Sequence, residues 1–197
     1  MAEVAKILSP NKRVIIPDLR AGCSLEESCQ VSEFREFKKN NPGHIVLSYI
    51  NCSADIKAES DIIVTSSNAA KILDSIPKDQ KIIFAPDRHL GGYLNKITGR
   101  KMKLWDGVCI VHETFSEREL IKMKVRSVGA KIIAHPECPE NILKHADFIG
   151  STSALLKFIS HDKSEQFIVA TEPHIIHQMK KNEPSKRFLV APGNDGN

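Results

Sequence analysis

Short apolar runs alternate with longer amphipathic or polar segments along the 197 residues of the chain. The runs are unbroken and rich in Val and Ile, which is typical of strands in a parallel sheet that is covered on both faces. The segments between them have the length of helices. Because strands that alternate with helices form βαβ units, we predict an α/β fold. The nine predicted strands are Val14–Ile16, Ile45–Ile50, Asp61–Val64, Lys81–Phe84, Lys103–Trp105, Lys131–Ala134, Asp147–Ile149, Gln166–Ala170 and Arg187–Val190.

The chain also contains an internal repeat with an offset of 86 residues. Residues 44–73 align without gaps over residues 130–159, with six identical positions. A period this long indicates duplicated αβα domains rather than a solenoid, whose repeats are about 20–50 residues long. The pairs that support the offset are Cys52 with Cys138, Asp61 with Asp147, Cys23 with Cys109, and Ile82–Pro86 with Ile168–Glu172.

The repeat predicts the domain organisation. Residues 1–22 supply only the end of one αβα domain, namely a helix over Ala2–Leu8 and the first predicted strand. Residues 23–105 form a second unit and residues 106–197 a third, whose own Cys loop is expected to open at position 195, so that its continuation is missing. We therefore expect two units and a remnant of a design that has three.

Composition places the chain among globular proteins, since 41% of the residues are hydrophobic and 26% are charged. No apolar run approaches the ~20 residues that span a bilayer, and the first residues do not resemble a secretory signal. We expect a cytoplasmic protein whose 5 cysteines are thiols or metal ligands. The net charge of +4 with only 6% aromatic residues favours a small anionic ligand over a nucleic acid.

Two of the cysteines occupy equivalent places in the repeat. Cys23 and Cys109 each follow a predicted strand and precede a predicted helix, where backbone N–H groups favour a thiolate. Thiolates without CxxC spacing suit an iron–sulfur cluster better than structural zinc. The alternative is that each cysteine is a small buried hydrophobic residue. Cys29 and Cys52 fall on segments predicted to be helical and are expected to be structural, whereas the role of Cys138 is open.

Polar motifs follow the equivalent first strands of the two units. These motifs are Tyr49-Ile50-Asn51 and His135-Pro136-Glu137. Ligands of parallel sheets bind at the carboxyl ends of strands, so both motifs are candidates for a site. Glu137 can act as a general base and Tyr49 as a proton donor, and the amide of Asn51 can bind a carboxylate group. The His-Pro-Glu motif by itself is also compatible with a simple turn.

Hydroxyl side chains follow the next strand of each unit, as Ser66-Ser67 and Ser151-Thr152-Ser153. Hydroxyl and free N–H groups at the start of a helix can cap that helix or bind an anion. Two such places suggest a substrate with more than one negative group. His112, three residues after Cys109, is a further candidate for contact with a metal ligand or with the substrate.

Together, these motifs resemble the quinolinate synthase family of NAD biosynthesis, the NadA type. The resemblance implies three homologous αβα domains around a pseudo-threefold axis. It also implies condensation of iminoaspartate with dihydroxyacetone phosphate, and a 4Fe-4S cluster held by three cysteines, one from each domain. The segments that carry the resemblance are PDLRAGCSLEES, YINCSADIKAESDIIVTSSNA, PDRHLGGYLNKITG, LWDGVCIVHE, HPECPENILKHADFIGSTS and FIVATEPHIIHQM.

Roles for individual residues follow from the same resemblance. It implies that Cys23 and Cys109 ligate the cluster, whose open iron acts as a Lewis acid. It also implies catalytic roles for Tyr49 and Glu137, with His112 close by as a third candidate. The residues expected to contact the substrate are Tyr49, Ile50, Asn51, Ser66, His135, Pro136, Glu137, Ser151 and Thr152.

The chain departs from the family pattern at both ends. The family has an earlier strand in its first domain, and its third cysteine ligand follows a sequence like APGNDGN, with which this chain ends. We expect a quinolinate synthase with small anionic substrates and without nucleic-acid or membrane partners. The alternative is an inactive or split fragment that only binds a dicarboxylate or is completed by a partner chain.

Overall fold

The computed structural model describes residues 1–18 and 20–194, which divide into two compact units. Unit 1 comprises Met1–Cys109 and unit 2 comprises Ile110–Asn197. Each unit contains a parallel sheet with helices, so the predicted α/β class is confirmed. The Cys loop expected at position 195 lies outside the described residues. None of the described helices is long and apolar enough to cross a membrane.

Unit 1 is built around a four-stranded parallel sheet of order β2-β1-β3-β4. Its strands are β1 (Ile45–Tyr49), β2 (Ile62–Val64), β3 (Ile82–Ala85) and β4 (Lys103–Leu104). Its helices are α1 (Ala2–Leu8), α2 (Ser24–Glu27), α3 (Val31–Lys39), α4 (Ala54–Ala58), α5 (Ala69–Ser75) and α6 (Arg88–Thr98).

Unit 2 repeats this topology with the order β6-β5-β7-β8, again entirely parallel. Its strands are β5 (Lys131–Ala134), β6 (Phe148–Ile149), β7 (Gln166–Ala170) and β8 (Arg187–Val190). Its helices are α7 (Ile110–Glu113), α8 (Glu117–Arg126), α9 (Glu140–Leu143), α10 (Thr152–His161) and α11 (Ile175–Asn182).

Helices cover both faces of the unit 1 sheet, as unbroken apolar strands require. On one face, Phe84 packs in a core with Leu73 of α5 and Leu90 of α6. On the other face, Ile83 packs in a second core with Phe34 of α3. The arrangement is the three-layer αβα sandwich that the sequence pattern predicts.

Local sequence signals set the limits of α6. The Asp87 side chain accepts a hydrogen bond from the Leu90 N–H at 2.6 Å and so caps the first turn. Gly99 ends the helix with a φ of 68°, a left-handed conformation that favours glycine. The cap thus fixes the start of α6, and the glycine allows the chain to leave its end toward β4.

Eight of the nine predicted strands are confirmed, and the first one is wrong. Residues Val14–Ile16 are not in a strand, although the preceding helix over Ala2–Leu8 is confirmed. A strand is stable only when a neighbour satisfies its backbone groups. No strand among the described residues pairs with this segment, so its Val and Ile residues lie outside any sheet.

The repeat places the same interactions in both units. Asp61 accepts a hydrogen bond from the Val46 N–H of β1 at 2.7 Å, and Asp147 accepts one from the Ile132 N–H of β5 at 2.7 Å. Each aspartate thereby fixes the turn before its strand against the neighbouring strand. This shared role explains why the two positions are identical.

Cationic side chains, a buried arginine and a half-buried lysine, lie at the ends of the equivalent helices α5 and α10. The Arg100 guanidinium donates to the carbonyl oxygen of Leu73 at 2.6 Å and also to that of Ile76. The Lys186 ammonium, 86 residues later, donates to the carbonyl oxygens of Ile159 and Asp162, the second at 2.7 Å. An arginine in one unit and a lysine in the other therefore bind equivalent carbonyl groups, which the end of a helix leaves without partners.

Equivalent residues of β3 and β7 are 85 positions apart in the sequence, and not 86 as elsewhere in the repeat. Ile45 pairs with Ile82, whereas the equivalent Lys131 pairs with Phe167. The predicted pairing of Ile82–Pro86 with Ile168–Glu172 is therefore wrong by one residue. Hydrophobic packing agrees with the smaller offset. Ile82 lies in the core beneath α5 and α6, and Phe167 lies in the matching core beneath α10 and α11.

Candidate functional site

The carboxyl edge of the unit 2 sheet carries a cluster of four buried polar side chains. His135 and Glu137 directly follow β5, and Thr171 directly follows the paired strand β7. His112 reaches the same place from α7. All four residues are at most 4% exposed. The topology therefore assembles the cluster at the edge where parallel sheets bind ligands.

Glu137 lies at the centre of this polar cluster. Its Oε2 atom is 3.1 Å from Nδ1 of His112 and 3.6 Å from Nδ1 of His135. The two imidazole rings lie with their centroids 5.3 Å apart. On the side of the His112 ring that faces away from Glu137, the Nε2 atom is 3.1 Å from Oγ1 of Thr171. One carboxyl group thus faces two imidazoles in a dry setting, an arrangement suited to proton transfer.

His135 is held as a neutral imidazole. The backbone N–H of Glu137 donates to Nδ1 of His135 at 3.3 Å, so Nδ1 accepts and the ring proton belongs on Nε2. Burial lowers the pKa of His135 to about 4, although the nearby Glu137 opposes the effect. At neutral pH the ring can therefore donate a hydrogen bond from Nε2 without carrying a charge.

Cys138 has a structural role at this edge. Its side chain is fully buried, and its Sγ atom donates to the carbonyl oxygen of Ala170 at 3.2 Å. The contact joins the turn after β5 to the end of β7. This position secures the backbone that carries His135 and Glu137.

The carboxyl edge of the unit 1 sheet carries the equivalent motif. Tyr49 is the last residue of β1 and is 6% exposed, while the N–H of Ile50 donates to the carbonyl oxygen of Val64 at 2.8 Å. Asn51 follows in the turn, and Ser66 lies two residues beyond the end of β2. Because β1 and β2 pair in parallel, these residues share one edge.

The hydroxyl motifs differ between the units. In unit 2, Ser151 caps α10 by accepting from the Ala154 N–H at 3.3 Å, as predicted, and Thr152 is the first helical residue. In unit 1, the expectation that Ser66 and Ser67 open a helix is wrong, because α5 begins only after Asn68. The Asn68 side chain accepts from the Thr65 N–H at 2.7 Å, which forms a turn and delays the helix.

The five cysteines differ in exposure. Cys23, in the cap position of α2, and Cys109, directly before α7, are half-buried. Cys29 and Cys52 are buried outside the helices, so their predicted helical placement is wrong. Burial raises the pKa of Cys29 to about 12 and that of Cys52 to about 11. Since a metal ligand must be a thiolate, Cys23 and Cys109 fit a metal site better than these two.

The sequence reasoning did not identify Thr171 as a member of the site. Its signal was available, because Thr171 follows the end of a predicted strand just as the His-Pro-Glu motif does. A single hydroxyl after a strand is common, however, and only the fold places it 3.1 Å from a histidine 59 residues earlier.

Comparison with known proteins adds an independent finding. Residues 1–195 match the family model described as quinolinate synthetase A protein. The quinolinate synthase of a Synechocystis species is 62% identical over 194 residues, which cover 98% of this chain and 61% of that relative. The quinolinate synthase of Chloroherpeton thalassium is 59% identical over 192 residues, which cover 98% of this chain and 60% of that relative. The chain thus spans about three fifths of the length of these curated relatives.

Proposed function

Because the chain belongs to the quinolinate synthetase A family, we propose that it takes part in quinolinate synthesis for NAD biosynthesis. The substrates we propose are iminoaspartate and dihydroxyacetone phosphate. The observation that carries the proposal is the buried Glu137, whose carboxyl oxygen lies 3.1 Å from His112 and 3.6 Å from His135 at a sheet edge. We also propose a cytoplasmic setting, in which cysteines are kept as thiols.

The proposed chemistry requires protons to leave carbon and to reach departing oxygen atoms. Glu137 would accept a proton at a carboxyl oxygen, and its low exposure keeps water from competing for that position. The neutral ring of His135 would donate a hydrogen bond from Nε2 to a substrate oxygen. His112 would orient the Glu137 carboxyl group. Tyr49 would donate a proton from its phenol group.

The remaining residues of the site would hold the negative groups of the substrates. Asn51 has an amide that can donate to a carboxylate. Ser66, Ser151 and Thr152 have hydroxyl groups next to strand ends, where phosphate or carboxylate groups bind well. Ile50 and Pro136 would contribute to the walls of the site.

We propose Cys23 and Cys109 as ligands of a 4Fe-4S cluster. This assignment is supported by exposure, because both cysteines are half-buried, while the other three cysteines are buried. When bound, the cluster would supply a Lewis acid.

Anaerobic reconstitution with ferrous iron and sulfide tests the cysteine assignment. We expect the wild-type chain and Cys29→Ser to retain iron, and Cys23→Ser and Cys109→Ser to lose it. Cys29 is the matched control because it is buried and outside the proposed ligand set. Equal iron contents in all four proteins would refute the assignment.

Turnover of iminoaspartate and dihydroxyacetone phosphate tests the reaction itself. Since general acid–base catalysis contributes about 10²–10⁴-fold, Glu137→Gln should lower quinolinate formation by that factor. Glu113→Gln, which changes a carboxylate on α7, serves as the control. Binding of a dicarboxylate without quinolinate formation would instead favour a binding module.

A further inference from the structure

The amino edge of the unit 1 sheet holds a cavity that the proposed reaction does not use. The cavity has a volume of about 310 Å³ and lies between the loop before β3 and the loop before β4. Tyr49, Asn51 and Ser66 lie at the opposite, carboxyl edge of the same sheet. The volume is sufficient for a small organic ligand, since the pockets that bind such ligands begin at about 300 Å³.

Positive charge dominates the lining of this cavity. The charged side chains come from both loops and are Lys78, Asp79, Lys81, Arg100 and Lys101. Lys78 forms an ion pair with Asp74 of α5 at 3.7 Å. Lys81 and Lys101 are exposed, and neither forms an ion pair within the part of the chain that the structure describes. These two lysines are therefore available to bind an anion.

Arg100 supplies the buried part of the lining. The residue is 8% exposed, and its terminal nitrogen atoms donate to the carbonyl oxygens of Leu73, Ile76 and Pro77. Its Nε atom, in contrast, is buried without a hydrogen-bond partner among the described residues. A buried N–H group without an acceptor is unfavourable, so this position favours a ligand that brings an acceptor oxygen.

The repeat indicates that the fold does not require all of this charge. Because Ile82 of β3 is equivalent to Phe167 of β7, Lys81 is equivalent to Gln166. Unit 2 therefore forms the same sheet topology with a neutral side chain at this place. The positive charge of Lys81 belongs to unit 1 alone, and the shared αβα architecture does not explain it.

From these observations, we infer that the cavity is a binding site for a small molecule that carries a phosphate group. A phosphate group has three strong acceptor oxygens and almost two negative charges, so it can accept from Nε of Arg100 and from Lys81 and Lys101 together. Ile82 and Met102 are buried and also line the cavity, so they offer apolar contact to the organic part of the molecule. The inference does not rest on the proposed reaction.

Titration of the ¹⁵N-labelled full chain with inorganic phosphate, followed by NMR, tests the inference. Sodium chloride keeps the ionic strength constant. We expect the amide signals of residues 78–82 and 99–102 to shift as phosphate is added. The Nε–H signal of Arg100 should shift with them, because a new acceptor changes its hydrogen bonding. Glycerol 3-phosphate should cause the same shifts, and glycerol, which lacks the phosphate group, should not.

Variants of the two lysines test the predicted contacts. Lys81→Gln and Lys101→Gln should each weaken phosphate binding about two- to fivefold, and the double variant about tenfold or more, as expected for exposed charges. Lys81→Gln also reproduces the residue that unit 2 carries. Lys180→Gln, at an exposed lysine of α11, is the control and should bind phosphate like the wild type. Circular dichroism of each variant verifies that it is folded.

Four outcomes would overturn the inference. These are amide signals that phosphate does not shift, equal shifts with glycerol alone, a stationary Nε–H signal of Arg100, and binding that the double variant leaves unchanged. Phosphate bound at the proposed substrate site would shift the signals of Asn51 and Ser66 at the carboxyl edge. The two sites are therefore observed separately, and failure of either proposal leaves the other intact.

Discussion

Thr171 Oγ1 and His112 Nε2 lie 3.1 Å apart, and both side chains are buried. Nδ1 on the other side of the His112 ring faces the Glu137 carboxyl group at 3.1 Å. Because a carboxylate oxygen only accepts hydrogen bonds, the ring proton belongs on Nδ1, and the Thr171 hydroxyl donates to Nε2. Thr171 thus selects the tautomer of His112 that faces Glu137.

Replacement of Thr171 tests this selection. Thr171→Val keeps the shape of the side chain but removes the hydroxyl, which leaves Nε2 of His112 buried without its donor. We expect a loss of about 1–3 kcal/mol in the free energy of unfolding and a shift of the ring proton toward Nε2. Imidazole ¹⁵N chemical shifts report the tautomer directly. Thr171→Ser retains a hydroxyl and should keep the wild-type spectrum, and an unchanged spectrum in Thr171→Val would contradict the assignment.

The free energy of unfolding should decrease as the pH is lowered, because His135 is buried. Burial lowers its pKa to about 4 in the folded chain, against an ordinary value of about 6.5 in the unfolded chain. The unfolded state therefore binds more protons between these two pH values, and the free energy of unfolding decreases as the pH falls from 6.5 to about 4. The contribution of this one group is roughly 3 kcal/mol.

Urea unfolding at a series of pH values measures the effect. His135→Gln, which does not titrate, should show a shallower decrease over this range. His161→Gln replaces an exposed histidine of α10 and should retain the wild-type slope. A His135→Gln profile as steep as the wild-type profile would show that other groups are responsible.

The paired aspartates should contribute to stability in the same way. Asp61→Ala and Asp147→Ala each leave a strand N–H without its acceptor, so each should lower the free energy of unfolding by about 1–3 kcal/mol. Asp147 should cost more, because it also binds Lys124 at 3.0 Å. Burial alone would raise the pKa of Asp147, yet the Ile132 N–H and Lys124 together hold it below its ordinary value.

Chemical denaturation of these variants, compared with Asp79→Ala, checks the prediction. Asp79 is exposed in the loop before β3, so its replacement should change stability by no more than about 0.5 kcal/mol. Asp61→Ala with a stability equal to that of Asp79→Ala would refute a shared role for the two repeated aspartates.

Arg100 should tolerate lysine but not methionine. Lys186 performs the equivalent function with an ammonium group, and Nε of Arg100 is buried without a hydrogen-bond partner among the described residues. Arg100→Met removes the donors to the Leu73 and Ile76 carbonyl groups and should cost about 2–5 kcal/mol. Arg100→Lys should recover most of this loss. Thermal unfolding of the two variants measures these losses of stability. Equal losses for Arg100→Met and Arg100→Lys would show that the shape of the guanidinium group is essential.

Most of the fold was predictable from the sequence because strand formation in this chain follows local hydrophobicity. Eight apolar runs became strands, since each has a parallel neighbour within its own unit. Val14–Ile16 has the same composition but no neighbour among the described residues. Pairing is a non-local property, and the composition of a run does not contain it.

The candidate site was predictable only in its strand-end motifs. His135 and Glu137 were found because the carboxyl ends of parallel strands gather ligands. Ser66 was misplaced because the Asn68 turn competes with the start of the helix. The contact between Thr171 and His112 joins residues 59 positions apart, and such a contact depends on how β7 and α7 are packed.

The one-residue difference between β3 and β7 has a consequence for engineering and for evolution. Since adjacent residues of a strand point to opposite faces, a chimera that exchanged these strands at the offset of 86 would place Ile168, and not Phe167, at the position of Ile82 beneath α5 and α6. The offset returns to 86 at β8, where Leu189 pairs as Lys103 does. Relative to unit 1, unit 2 therefore has one residue fewer before β7 and one residue more between β7 and β8. Length changes in this repeat are tolerated as compensating pairs, and recombination between the units should respect the same rule.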